Sequence, residues 1–272
     1  MGYLTTEKKK VTVKTFVEMK RDGNKIAMLT AYDYTTARLI DEAGVDSILV
    51  GDSASNVMQG NDSTLPVTLD EMIVYARGVA RGCQRALVVC DMPFGSYQVS
   101  PEEGVRNAVR LIRETGVDAV KLEGGEEVAP TIERMVNAGI PVVGHLGLTP
   151  QSIHKFGGYG VRARSEVEAT KLIADAQALE KAGCFAVVLE KIPASVAQQV
   201  TDLLSVPTIG IGAGSHCDGQ VLVYADAMGL TQGFEPKFLR EFAAMGEELR
   251  RGVRAYCEAV KGDEFPNESE SY

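Results

Sequence analysis

Apolar and polar positions along the chain follow a repeated grammar. A short β-branched apolar run comes first, then a polar residue or glycine, then a stretch with helical periodicity. The apolar runs occupy residues 26–29, 47–50, 86–90, 119–122, 141–143, 185–189, 207–211 and 221–223. They are continuous rather than alternating, as strands covered on both faces should be. The last two are the least distinct, because the helix between them is missing or very short.

Helix start signals precede the intervening stretches. Thr68-Leu69-Asp70-Glu71 reads as a capping box ahead of a helix to residue 81. Ser100-Pro101-Glu102-Glu103 reads as a second box with proline at the first helical position, and Ser165-Glu166-Val167-Glu168 as a third. Asp33 is read mainly as the cap of a helix beginning at Tyr34. Gly44, Gly116, Gly139 and Gly183 each follow a helical stretch, where a left-handed stop needs glycine.

Eight strand–helix units predict either a closed (β/α)8 barrel or an open doubly wound sheet. A doubly wound sheet usually carries a nucleotide fingerprint after its first strand. Here that position reads Thr30-Ala31-Tyr32-Asp33, so the barrel is favoured. The length of 272 residues agrees, since such barrels take about 250. A helix over Val13–Arg21, ahead of the first strand, is expected to close the barrel floor. No composition break marks a boundary, so residues 1–272 are expected to form one domain, with the acidic, polar stretch 262–272 as a flexible tail.

Composition narrows the partners. A net charge of −9 argues against nucleic acid, whose binding draws on clustered Lys and Arg. The five cysteines include no CxxC pair, which points to buried thiols in a reducing compartment, hence the cytoplasm. No apolar run reaches membrane length, and the chain start has no apolar stretch behind its charges to act as a secretory signal. Gly2 with Thr6 fits a loose myristoylation pattern, and Asn61-Asp62-Ser63 and Asn267-Glu268-Ser269 fit the glycosylation sequon; all three are read as chance.

Barrel enzymes work at the C-terminal ends of their strands. Strand two ends in Gly51-Asp52-Ser53, strand three in Cys90-Asp91, strand four in Lys121-Leu122-Glu123, strand five in Gly144-His145 and strand six in Leu189-Glu190. Each has a plainer reading alone. Asp52 or Asp91 could cap a helix, Glu123 could be solvated, His145 could be a hydrogen-bonded structural histidine, and Glu190 could pair with Lys191 or Lys155. Together they would still crowd carboxylates at one rim, which is unfavourable without a cation. Asp52, Asp91 and Glu123 offer only oxygen, which suits Mg2+. Zinc fits poorly, because the chain has only three histidines and none at ligand spacing. Lys121 stands two residues before Glu123, so both point into the barrel mouth. It is either a structural ion pair or an anchor for a substrate carboxylate. Glu190 ends a strongly apolar strand and is the candidate base. The stretch 210–214 is rich in glycine; close packing is a simpler account of it than a phosphate cradle.

These residues lie in longer strings: Gly60-Asn61-Asp62-Ser63-Thr64-Leu65-Pro66-Val67, Asp91-Met92-Pro93-Phe94, Val120-Lys121-Leu122-Glu123-Gly124-Gly125, Gly144-His145-Leu146-Gly147-Leu148-Thr149-Pro150-Gln151-Ser152, and Phe156-Gly157-Gly158-Tyr159. By them the chain resembles the ketopantoate hydroxymethyltransferase family over residues 12–262. The resemblance implies a barrel of the phosphoenolpyruvate/pyruvate superfamily, Mg2+, and 5,10-methylenetetrahydrofolate as donor of a hydroxymethyl group to 3-methyl-2-oxobutanoate. It implies Asp52, Asp91 and Glu123 at the metal, Asp52, Ser53, Asp91 and Lys121 on the oxo acid, and Glu190 as proton acceptor. His145 joins the substrate-binding set by its place on the same rim. The family resemblance also implies a homodecamer. Two positions depart from the family pattern: Asn61 stands where His is usual, and Ala163 where Gly is common. The rival readings are a lyase or mutase of the isocitrate lyase type, whose Lys-Lys-Cys-Gly-His-type loop is missing here, and a non-catalytic metabolite sensor.

Overall fold

The computed structural model describes residues 9–272, so the Gly2/Thr6 pattern and the chain start lie outside the described residues. These residues fall into two compact units, a barrel ending at Leu222 and a C-terminal unit over Val223–Tyr272. The division lies within the apolar stretch Val221-Leu222-Val223, with no change of composition to mark it.

The barrel begins with α1 (Val13–Arg21), β1 (Ile26–Thr30), α2 (Tyr34–Ala43), β2 (Ser47–Val50), α3 (Ala54–Val57), α4 (Leu69–Gly82), β3 (Leu87–Asp91) and α5 (Pro101–Thr115). It continues with β4 (Ala119–Glu123), α6 (Ala129–Asn137), β5 (Val142–Gly147), α7 (Ile153–Phe156), α8 (Glu166–Lys181), β6 (Ala186–Glu190), α9 (Ala194–Leu203), β7 (Thr208–Ile211) and β8 (Gly219–Leu222). The eight strands close in sequence order, and β8 pairs back onto β1, all in parallel. The expected (β/α)8 barrel is therefore the fold, and no helix separates β7 from β8 among the described residues. Strand eight starts two residues earlier than its apolar run suggests, because Gly219 packs against the Ile26 carbonyl where β1 and β8 meet. Strand five is longer than expected, since Gly144, His145 and Leu146 stay extended to pair with β6.

Local signals explain the helix ends. The Thr68–Glu71 capping box forms in full, and Asp33 accepts from the Thr36 N–H at 2.9 Å. Ser100 and Ser165 are simple caps rather than boxes: each accepts from the N–H three residues on, without a reciprocal bond from Glu103 or Glu168. Glu168 turns to Arg162 instead. Gly44 and Gly116 take left-handed stops at φ +96° and +81°. In the glycine-rich stretch after β7, a Cβ on Gly214 would stand 2.5 Å from that of Ala194, so close packing accounts for it.

Inside the barrel, Ile26, Met28, Leu49, Leu87, Val89 and Val188 belong to one apolar cluster, which Phe16 of α1 joins from below. The Phe16 ring meets Phe185 edge to face, with centroids 5.8 Å apart. Helix α1 thus closes the floor as expected, and the polar end of the barrel is the opposite one.

In the C-terminal unit, α10 (Tyr224–Ala227) precedes α11 (Met245–Lys261). Leu249, Val253 and Tyr256 of α11 are exposed, and Tyr256 packs edge to face with Phe265 at 5.9 Å. The stretch 262–272 is exposed throughout and contains a short 3-10 turn, Glu268–Glu270, capped by Asn267. All five cysteines are free, and Cys90, Cys184 and Cys217 are buried. No described helix is long and apolar enough to cross a membrane.

If Phe16 plugs the floor, Phe16→Ala leaves a cavity under the core. A loss of about 3–5 kcal/mol is expected in urea denaturation. A loss under about 1 kcal/mol would mean the floor is closed by other contacts.

Candidate active site

Alternation along the strands decides which side chains reach the upper rim. Ala119 lies in the interior cluster, so Lys121 and Glu123, on the same side of β4, stack above it. The same step of two leads β3 from Val89 to Asp91, β5 from Val143 to His145 and β6 from Val188 to Glu190. Register then sets them side by side: Asp91 is opposite Lys121, and Glu123 opposite His145. Asp52 and Ser53 follow the end of β2, and the Asp52 N–H donates to Asp91 Oδ2 at 3.0 Å.

The group is buried. Lys121 Nζ stands 3.0 Å from Asp91 Oδ1, with both side chains only 4% exposed. Nζ also lies 3.1 Å from His145 Nδ1. An ammonium has only donors, so this ring nitrogen must accept and the imidazole proton sits on Nε2. That proton faces Glu190 Oε2 at 3.2 Å, although the approach is not a well-aligned hydrogen bond. Glu123 Oε1 lies 3.3 Å from the same Nδ1 and receives no hydrogen bond there. Ser53 Oγ shares a 2.7 Å bond with the Tyr32 phenol.

Burial pushes the Asp52 carboxyl well above the usual range, and Asp91 and Glu123 push it further. Burial also pushes Glu123 up to about 7, against the opposing pull of Lys121. Burial works against the Lys121 charge, but Asp91, Glu123 and Asp52 outweigh it and raise its pKa. Burial and the Lys121 charge depress His145, which is neutral near pH 7. Three buried carboxyl groups therefore share one buried cation. Asp91 Oδ1 and Glu123 Oε1 are buried without a well-directed hydrogen bond, although each has a basic group nearby. Hard oxygen donors in excess of local positive charge fit a hard divalent cation. They do not form a ready cage: among the described residues, no three His, Cys, Asp or Glu side chains are gathered for a metal. Gln151 and Lys121 stand among them.

Sequence reasoning brought together Asp52, Ser53, Asp91, Lys121, Glu123, His145 and Glu190, but it gave no role to Gln151. Gln151 Nε2 donates to Asp52 Oδ2 at 2.9 Å, and the Gln151 N–H donates to Glu123 Oε2 at 2.9 Å. Tyr97 was also missed; its phenol lies 2.8 Å from Gln151 Oε1. Neither residue is ionisable near neutral pH, so a search for charge at strand ends passes over both. Tyr159 belongs to the loop between α7 and α8, and its phenol is raised by burial and then by Asp52 and Glu190. Lys191, just after Glu190, takes a left-handed φ of +49° and its carbonyl accepts from the Arg162 N–H at 3.0 Å, tying that loop to β6. Gly147 has φ +94°, and a Cβ there would lie 2.2 Å from the Glu190 carbonyl oxygen. Of the two departures from the family pattern, Asn61 donates to Ser55 Oγ at 3.1 Å and Gln59 Oε1 at 3.0 Å, knitting its loop. Ala163 holds φ +53°, a conformation that favours glycine.

A closed barrel with a buried acid–base cluster on its C-terminal rim defines a (β/α)8-barrel enzyme. Comparison with known proteins narrows the class. The sequence model described as ketopantoate hydroxymethyltransferase matches residues 10–268. The 3-methyl-2-oxobutanoate hydroxymethyltransferase of Parabacteroides distasonis is 59% identical over 266 residues, covering 98% of this chain and 97% of the relative. That of Flavobacterium johnsoniae is 58% identical over 264 residues, covering 97% of each. The chain belongs to the ketopantoate hydroxymethyltransferase family and is a hydroxymethyltransferase. Among solved structures, 2,3-dimethylmalate lyase of the PEP mutase/isocitrate lyase superfamily aligns with a TM-score of 0.59 at 17% identity, covering 96% of this chain and 91% of that one. A phosphonopyruvate hydrolase solved with oxalate and Mg2+ aligns at 0.61 and 11%, covering 95% and 92%. These two share the fold; the lyase/mutase alternative gains nothing further from them.

Replacing Lys121 by Met removes the buried ammonium that faces three carboxyl groups. At neutral pH, in protein stripped of metal, a destabilisation of about 3–5 kcal/mol is expected from leaving buried charge unpaired. Unchanged denaturation midpoints would show that the carboxyl groups do not depend on it.

Proposed function

We propose that the chain transfers a hydroxymethyl group from 5,10-methylenetetrahydrofolate to 3-methyl-2-oxobutanoate, giving 2-dehydropantoate. The observation that carries this reading is the buried pair of Lys121 and Asp91 at 3.0 Å, with the Asp52 N–H bonded to Asp91, Glu123 beside His145, and Glu190 on the neighbouring wall. Family membership and the names of its relatives support it. Asp52, Asp91 and Glu123 would hold Mg2+, one or two of them directly and the rest through water. When bound, Mg2+ supplies a Lewis acid that stabilises negative charge on the keto oxygen of the oxo acid.

This chain's own residues do the rest. Lys121 sets its ammonium where a substrate carboxylate can pair with it, and Ser53 offers a hydroxyl oriented by Tyr32. Glu190 takes the proton from carbon 3 of the oxo acid, leaving carbon 3 as the nucleophile. One water molecule hydrolyses both carbon–nitrogen bonds of the folate methylene bridge. Carbon 3 bonds to the formaldehyde-level carbon so released, and its oxygen, which came from the water, takes up a proton to become the hydroxyl. His145 is neutral and presents Nε2–H towards Glu190, steadying the base between turnovers. Assembly as a homodecamer and a place in the cytoplasm are carried over from the family resemblance and the thiol usage.

In D2O with Mg2+ and no folate, the protein should exchange the carbon-3 proton of 3-methyl-2-oxobutanoate for deuterium. Retained protium after long incubation would defeat the proton-abstraction step. Glu190→Gln should bind the oxo acid nearly normally in calorimetry while turnover falls by about 10²–10⁴-fold. Turnover within a few-fold of the parent would remove Glu190 from the role. Asp91→Asn should weaken both Mg2+ and oxo-acid binding; unchanged affinities would take Asp91 out of the site.

A further inference from the structure

Gln151 is buried in a 3-10 turn, Pro150–Ser152, after β5, and its amide has no freedom to turn. Nε2 donates to Asp52 Oδ2 at 2.9 Å and to the Met92 carbonyl at 3.0 Å. Oε1 accepts from the Tyr97 phenol at 2.8 Å and from Gln98 Nε2 at 3.0 Å. Reversing the amide would set Oε1 against a carboxylate and a carbonyl, and Nε2 against the hydrogens of Gln98. Four partners, of which Asp52, Met92 and Tyr97 are buried, thus fix one orientation. The backbone N–H of the same residue donates to Glu123 Oε2 at 2.9 Å.

One residue therefore caps one oxygen on each of two carboxyl groups delivered by different strands. The capped atoms are Asp52 Oδ2 and Glu123 Oε2, which leaves Asp52 Oδ1 and Glu123 Oε1 as the atoms open to a ligand. Glu123 Oε1 is buried with no well-directed partner. A carboxylate that accepts a fixed donor on one oxygen is held in rotation about its terminal bond, so the direction of the other oxygen is set before any ligand arrives.

We propose that Gln151 is a positioning residue for a divalent cation, aiming the uncapped oxygens of Asp52 and Glu123 at one shared ion. Tyr97 holds Gln151 in turn. The inference rests on the metal reading above and adds to it a residue that touches neither substrate nor ion.

The test uses the full chain and Mn2+ as probe, followed by calorimetry and by the electron paramagnetic resonance signal of free Mn2+. Gln151→Met keeps the volume and the backbone donor but loses the amide. Its Mn2+ affinity is expected to fall on the order of 10–100-fold, the usual effect of losing a partner that orients a ligand. Raising Mg2+ to saturation should return its kcat to within a few-fold of the parent, which a merely structural defect would not do. Tyr97→Phe keeps the ring and should weaken Mn2+ in the same direction by a smaller factor; it decides the matter if Gln151→Met does not fold. Affinities within about two-fold of the parent in the folded variants, or a kcat deficit that persists at saturating Mg2+, overturn the inference and leave the metal reading standing. No Mn2+ binding by the parent protein overturns both.

Discussion

Lys121 meets Asp91 at 3.0 Å, deep in the barrel mouth, with Asp52 and Glu123 in the same field. Such a charge imbalance is costly to keep away from water, because burial penalises every ionised member and like charges add to it. The barrel has three ways of easing it. Burial shifts the balance of Asp52 and Glu123 towards their neutral forms, and neighbouring carboxyl groups push the same way. Fixed dipoles from Gln151 and the Asp52 N–H absorb part of the charge. A bound cation would relieve the remainder. The rim is thus a strained feature that folding tolerates because the layers beneath it are apolar and continuous.

The supporting bonds cross long stretches of chain. Gln151 links loops that follow β2, β3 and β5, while Tyr97 joins the loop after β3 to the main chain of β4. Gly147 lets the ends of β5 and β6 approach so closely that the Leu148 N–H reaches the Glu190 carbonyl at 2.8 Å. Acid, base and lysine are thereby held on one continuous hydrogen-bonded frame. The loop bearing Tyr159 is fastened to that frame at Lys191, directly after the candidate base.

Much of this was legible in the sequence, for a physical reason. Continuous apolar runs and glycine stops report burial on both strand faces, and a step of two along a strand carries interior positions into rim positions. Asp91, Lys121, Glu123, His145 and Glu190 all follow from that step. Asp52 and Ser53 lie past the end of β2, so alternation places them only roughly. Gln151 and Tyr97 carry no charge and sit in loops, and their roles exist only through partners as far as 99 residues away. The sequence suggested full boxes at Ser100 and Ser165, but the reciprocal bond is missing at both; at Ser165 this follows from Arg162, which draws Glu168 away. The division after Leu222 leaves no trace in composition, since the chain remains apolar across it.

On β3, β4, β5 and β6 the side that fills the lower barrel is the side that bears the candidate site above. Sliding β4 by one residue would turn Lys121 and Glu123 outward towards the helices and bring Val120 and Leu122 inward. Core and candidate site would be lost in the same movement. Evolution of this scaffold is thus denied small adjustments of reactivity by strand displacement. New selectivity has to come from the connecting segments overhead, where a change in length or residue leaves the pleat untouched.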